Sequence, residues 1–206
     1  MKGGAVIEAA ARVTHVAFDK TGTLTHGKPR VTDVQVLVGK EADLLALAAG
    51  VENGASHPLG QAICGAAEAR GIDSAVATQS RALPGKGAEA VIAGATICIG
   101  SPRLAAERGA LSATLRAEVE TLEAQGKTVV TVLRNDVAQG LIALRDEPRA
   151  DAAEAVAQLN TLGVSSVMLT GDNHCTAAVI AEGLGIEHRA ELMPEDKVAA
   201  IQNLTA

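Results

Sequence analysis

Asp19 closes a short apolar, β-branched run, "VTHVAF" (13–18), and is followed at once by "KTGTLT" (20–25). A carboxylate at the carboxyl end of a buried strand stands where open α/β sheets place their ligands. The residues after it supply a cation (Lys20), hydroxyls (Thr21, Thr23), a glycine free to turn (Gly22) and backbone N–H groups. That set suits an oxyanion or a phosphate. With a cation beside it a carboxylate stays ionised at neutral pH, as a nucleophile must. A plain turn cap at Asp19 would leave the hydroxyl-rich loop without a purpose. The position two residues on carries Thr21, not a second carboxylate.

Other constellations lie far along the chain. "MLTGDN" (168–173) ends an apolar run with Thr170, Gly171 and Asp172, and "PEDK" (194–197) brings Lys197 into a helix start. "DEPR" (146–149) sets Asp146 beside Arg149, and "ENGASHPLG" (52–60) holds Glu52, Ser56 and His57. "PGKG" carries Gly85 and Gly87; with Gly94 these are weak alone, since hairpin glycines usually make turns. "GTLTHGKP" (22–29) satisfies the start of a phosphate-binding P-loop, but Pro29 stands where the Mg²⁺-binding hydroxyl belongs, and an alternating strand follows. That match is accidental. His15, His26, His174 and His188 have no partners at metal-ligand spacing, and Cys64, Cys98 and Cys175 form no CxxC pair.

The elements that must position these residues are legible in outline. "VTHVAF" reads as a buried strand and "VTDVQVLV" (31–38) as a half-buried one by its period of two. A helical pattern runs from Glu41 to about Arg70, interrupted at "SHPLG", with Pro58 early in a second helix and Ser56 or His57 near its cap. "LPGKGAEAVIAGATICIGS" (83–101) reads as a hairpin, "SATLRAEVETLEAQG" as a helix stopped by Gly126, and 127–144 as two strands about the turn "RND". After Arg145 the order becomes helix, strand, helix, the signature of parallel βα units, and the chain closes on a helix. The antiparallel middle is therefore an insert, of residues 31 to 141, in an α/β core.

Composition narrows the function. The 206 residues hold 48% hydrophobic and 20% charged residues, no Trp, no Tyr and one Phe, so the core must be aliphatic and Phe18 reads as core packing. A net charge of −6 without a basic tract argues against nucleic-acid binding. No apolar run approaches the ~18 residues a membrane helix needs, and the N-terminus shows no signal-peptide pattern.

"DKTGTLT" resembles the phosphorylation motif of P-type ATPases, cation pumps whose phosphorylation domain is of haloacid dehalogenase type. The resemblance covers essentially the whole chain, from "KGGAVIE" (2–8) to "EDKVAAI". It implies a Rossmann-like α/β core (1–30 and 142–206) interrupted by an α+β nucleotide-binding domain (31–141) built on an antiparallel sheet. It implies that Asp19 accepts the γ-phosphoryl group of ATP, with Lys20, Thr21, Gly22 and Thr23 forming the loop and the Thr21 carbonyl joining Asp19 on Mg²⁺. Thr170, with Gly171 and Asp172, would bind the transferred phosphoryl group, and Lys197 would neutralise it. "ENGASHPLG" resembles the ExxSxHP motif of the heavy-metal subgroup. It assigns Glu52, Ser56 and His57 to the nucleotide, with His57 stacked on adenine; Gly85 and Gly87 resemble the subgroup's nucleotide loop. Asp146 and Arg149 are placed near the nucleotide phosphates. "IGSPRL" and "AELMPEDK" look more like zinc/cadmium/lead exporters than copper exporters. Thr21 then acquires a meaning: related phosphatases carry an acid–base Asp there, and its loss lets an aspartyl-phosphate survive.

The resemblance also implies partners: ATP, an actuator domain, membrane helices that bind the transported metal, and a position on the cytoplasmic face of the membrane. The family's GDGxND segment, with a further Mg²⁺-binding Asp, is expected after residue 206, so that residues 1–206 bind ATP but phosphorylate Asp19 poorly. Two alternatives stand beside this reading: a nucleotide-binding module without turnover, and a phosphatase of the haloacid dehalogenase type.

Overall fold

A computed structural model describes residue 8 and residues 11–204. The rest of "KGGAVIE" and the last two residues lie outside them. The chain divides into two units, one from its two ends (to His26 and from Pro148), the other spanning Gly27–Glu147.

The first strand, β1 (His15–Asp19), is followed by a tight turn and by β2 (Arg30–Val36). Two helices come next, α1 (Glu41–Glu52) and α2 (Pro58–Ala69). Then β3 (Ala77–Leu83), β4 (Gly87–Ile92) and β5 (Ala95–Gly100) make a meander. Helices α3 (Pro102–Glu107) and α4 (Ala113–Glu123) lead to β6 (Thr128–Arg134) and β7 (Val137–Arg145). The turn between β6 and β7 places Asn135 and Asp136 at positive φ, 48° and 61°, the torsions a two-residue hairpin needs and these residue types tolerate.

These strands form one antiparallel sheet of order β2-β7-β6-β5-β4-β3. Both faces of its centre are covered, and the alternation of side chains sorts the core. Ile97, Ile99, Val130, Val132, Ile142 and Leu144 face α1 and α2, through Leu44, Leu45, Ala48 and Ile63. Val129, Leu141 and Ala143 face Leu115, Val119 and Leu122 of α4. Each fully buried Leu or Ile contributes about 1.5–3 kcal/mol, so an aliphatic core suffices.

The chain then returns through α5 (Ala152–Thr161), β8 (Ser165–Leu169), α6 (His174–Leu184), β9 (Glu187–Arg189) and α7 (Pro194–Leu204). The sheet is parallel, of order β1-β8-β9, with Asp19 in register with Leu169. Met168 and Phe18 pack with Ala152, Ala177 and Ile180 of α5 and α6 on one face. Val167, Leu169 and Ala17 meet Ala200 and Leu204 of α7 on the other. A parallel sheet clad on both sides in this way is an α/β core, and the antiparallel unit is inserted in it.

Three differences from the sequence reading have physical causes. The units divide at residues 26/27 and 147/148, not at 30/31 and 141/142, because β2 pairs with β7 out to Arg30↔Arg145. The half-buried strand stops at Val36; Leu37 and Val38 turn away, both donating backbone N–H to the Gln139 carbonyl. Strand β3 escaped the sequence reading because it is the polar, largely exposed sheet edge "ATQSRAL", with its register broken between Thr78 and Arg81. Among the described residues no helix is long and apolar enough to cross a membrane.

Candidate functional site

In the unit of the chain ends, β1 delivers Asp19 to the carboxyl edge of the sheet and the chain turns sharply after it. Thr21 stays extended (φ −76°, ψ 121°) and Gly22 takes φ 76°, ψ 0°, a torsion that disfavours a side chain. Buried Thr25 staples this turn: its N–H and its hydroxyl both donate to the Lys20 carbonyl, at 3.1 and 3.0 Å, and its Oγ1 accepts from the Gly22 N–H at 3.3 Å. The loop is thus held by backbone and one hydroxyl, while Thr21 and Thr23 are left exposed.

The side chains at this edge come from three segments: the end of β1, the loop after β8 and the start of α7. Lys197, in the first turn of α7, donates to Asp19 Oδ1 at 2.5 Å. Lys20 is buried and pairs with Asp172. The cation on Asp19 is therefore Lys197 and not the neighbouring Lys20, since successive residues of an extended chain point to opposite sides. Thr170 is buried; its Oγ1 accepts the Asp172 N–H at 3.1 Å, which leaves the hydroxyl proton to donate elsewhere. Its backbone is fixed on both sides, N–H to the Arg189 carbonyl (3.0 Å) and C=O from the Leu192 N–H (3.1 Å). Gly171 lies against the Leu192 carbonyl, 3.2 Å from where a Cβ would stand. The chemistry is that of a half-exposed carboxylate with one lysine on it, a second lysine bound nearby in an ion pair, and a rigid hydroxyl loop.

Arg149 sits in the same unit, its backbone N–H on the Leu24 carbonyl and its guanidinium on Asp151 at 3.1 and 3.3 Å.

The inserted unit holds a second constellation. Glu52 is the last residue of α1 and is buried; the chain turns through Asn53 and Gly54 (φ 82°), and His57 begins α2 as its cap. His57 Nε2 lies 3.1 Å from Glu52 Oε2, and Nδ1 accepts the Gly60 N–H at 3.1 Å. The imidazole is half-exposed while the carboxylate beneath it is not. Burial pushes the Glu52 carboxyl up from its ordinary range, and His57 partly offsets that rise. Ser56 is exposed, and its carbonyl accepts from the Gln61 side chain at 3.4 Å.

Gly85 and Gly87 have positive φ, 69° and 149°. At Gly87 a Cβ would stand 2.0 Å from the Ile99 carbonyl oxygen, so the glycine is dictated by the close approach of β4 to β5. Asp146 is buried and accepts the N–H groups of Gly27 (3.2 Å) and Lys28 (3.1 Å), clamping the entry and exit strands of the insert.

Sequence reasoning overlooked two features. The pairing of Lys20 with Asp172 joins residues 152 apart and has no local signal. Gly60 could have been noticed, since glycine in the first turn of a helix opened by His-Pro works against helix propensity.

A model of the haloacid dehalogenase-like hydrolases matches residues 13–206. The zinc/cadmium/lead-transporting P-type ATPase of Escherichia coli (strain K12) is 50% identical over 205 residues, 99% of this chain and 27% of that protein. The copper-exporting P-type ATPase of Bacillus subtilis (strain 168) is 40% identical over 206 residues, 98% of this chain and 26% of that one. The chain thus spans about a quarter of the length of these relatives. Among solved structures, a zinc-transporting PIB-type ATPase in its E2.Pi state aligns with the whole chain and 33% of its own, at TM-score 0.66 and 49% identity. The catalytic domain of the CPx-ATPase CopB-B, studied for its conformational changes upon nucleotide binding, aligns at TM-score 0.75 and 26% identity over 99% of this chain and 71% of its own.

Proposed function

The chain belongs to the haloacid dehalogenase-like hydrolase family, and within it we propose the nucleotide-binding and phosphorylation region of a heavy-metal-translocating P-type ATPase. One observation carries the reading: Asp19 at the end of β1 is gripped by Lys197, while Thr21 occupies the place of a second carboxylate.

In this reading the inserted unit binds ATP, with the exposed face of His57 against the base. Lys197 holds Asp19 Oδ1, leaving Oδ2 to attack the γ-phosphorus. A bond forms between that oxygen and phosphorus, the bond to the β-phosphate oxygen breaks, and ADP leaves. Charge spreads over the phosphoryl oxygens in the transition state, and positioned cations and hydroxyls stabilise it. The contact of Lys197 with Asp19 and the Thr170 hydroxyl, whose oxygen accepts the Asp172 N–H, support these roles. With Thr21 in place of a carboxylate, position 21 offers the acyl phosphate no general base, so it persists and can drive transport.

Asp19 and the Thr21 carbonyl are hard oxygen donors, which suits Mg²⁺, an ion that keeps waters and phosphate oxygens as its other ligands. When bound, it would neutralise phosphate charge. The cargo is a zinc-, cadmium- or lead-type cation, bound on membrane helices that, with an actuator domain, are the partners of these residues at the cytoplasmic face.

The test is a titration of the 206-residue chain with ATP and AMP, followed by NMR at the His57 ring and the amides of residues 85–87. Saturable shifts at both places are expected; silence in a folded protein overturns the nucleotide assignment and leaves only common ancestry. Steady hydrolysis of p-nitrophenyl phosphate, which Thr21 argues against, would favour the phosphatase alternative. With γ-labelled ATP, any acid-stable, hydroxylamine-labile label is expected to vanish in Asp19→Asn.

A further inference from the structure

Gly60 is the third residue of α2, at ordinary helical torsions, where alanine would be the better helix former. The reason for glycine there is spatial. A Cβ at this position would stand 2.5 Å from Glu52 Oε2, 2.6 Å from the Ala55 Cβ and 3.0 Å from His57 Cε1. The same residue's N–H donates to His57 Nδ1 at 3.1 Å. A backbone N–H can only donate, so Nδ1 must be the bare, accepting nitrogen, and the ring proton of the neutral imidazole belongs on Nε2. Nε2 in turn lies 3.1 Å from Glu52 Oε2, and the buried carboxylate is the acceptor for that proton. Serine, threonine, asparagine or aspartate at the cap would satisfy the helix equally well. Histidine is used as a cap here because the cap bond also fixes the ring.

We infer that Gly60 is a positioning residue of the nucleotide pocket: its N–H sets the tautomer and plane of His57, and its missing side chain admits the Glu52 carboxylate that holds the other ring nitrogen. This rests on His57 facing the nucleotide, as proposed above. Gly60 touches no nucleotide in this scheme; it acts through His57. Glu52, buried under the ring, likewise acts mainly by orienting it.

Gly65, further along the same helix, supplies the control, because a Cβ there would meet nothing within 4 Å. The experiment reads the two ring nitrogens of His57 by long-range ¹H–¹⁵N correlation at roughly pH 8, above the ordinary imidazole range, and AMP affinity by titration. The wild-type chain is expected to show one tautomer, protonated at Nε2. Gly60→Ala is expected to give a mixture of tautomers and at least a tenfold loss of AMP affinity, while Gly65→Ala changes neither. A Gly60→Ala chain with the wild-type ring pattern and affinity overturns the inference. So does a wild-type ring protonated at Nδ1, a result that decides the matter even where Gly60→Ala does not fold. A wild-type chain that binds no AMP yet shows the Nε2-protonated ring breaks the nucleotide reading and leaves the ring-positioning role standing.

Discussion

In the unit of the chain ends, Asp19 meets Lys197 across 178 residues and Lys20 meets Asp172 across 152. In the inserted unit, Glu52, His57 and Gly60 meet within nine consecutive residues, around one turn and one helix start. The first arrangement exists only when β1, β8 and α7 have assembled, so its charges report on the tertiary structure. The second is assembled by local backbone geometry and needs the rest of its unit chiefly to bury Glu52. A site of the first kind is sensitive to substitutions anywhere in its sheet; a site of the second kind is sensitive to its own few residues.

Lys20→Met is the strongest way to break this contrast. It leaves Asp172 mostly buried without its cation, which costs about 3 kcal/mol, at the low end of such changes because Asp172 keeps a fifth of its exposure. Amide exchange should accelerate in residues 15–25 and 165–190 while β5, β6 and β7 keep their protection. Equal loss in both units would show that they do not unfold separately.

A smaller effect separates two carboxylates within the inserted unit. Glu89 is held below its ordinary range by Arg108 and then Arg81, whereas burial raises Glu52. The Glu89 contribution is complete above the ordinary glutamate value and is lost as the pH falls through its lowered value. The Glu52 contribution is complete below the ordinary value and is lost as the pH rises through its raised one. Urea midpoints measured from about pH 3 to 8 should therefore lose part of their acid fall in Glu89→Gln, and part of their decline toward neutrality in Glu52→Gln. A common sign for both variants would contradict the opposite shifts of the two carboxylates.

The smallest effect compares two glycines. Gly22 has open space where a Cβ would go but a positive φ, so Gly22→Ala should cost only torsional strain, about 1 kcal/mol. Gly60 has the opposite problem, acceptable torsions and no room. Thermal denaturation should show a modest drop for Gly22→Ala with AMP affinity unchanged. A larger drop would mean that the turn after Asp19 is constrained by more than its torsions.

The same contrast governs what could be read from the chain. The strand before Asp19, a helix cap at Ser56 or His57, the "RND" turn and the helices after Arg145 were legible because each is encoded within a dozen residues by periodicity, a proline or a turn residue; the structure gives the cap to His57. Strand β3 was not, since an exposed edge lacks apolar alternation. The partner of Lys20 was not either: pairing across parallel strands is decided by register, here Asp19 opposite Leu169, and carries no trace in local spacing. That Lys197 comes to Asp19 was implied by a resemblance of motifs, and nothing in its own segment points there.

The inserted unit has no Phe, Tyr or Trp, and His57 is its one histidine. Its methyl-rich core of Ile, Leu and Val therefore lies in a magnetic environment almost free of ring currents. A purine bound beside His57 would introduce a strong one. Methyl resonances of this unit displaced upfield by AMP would then trace the position of the base directly, without competing rings to subtract.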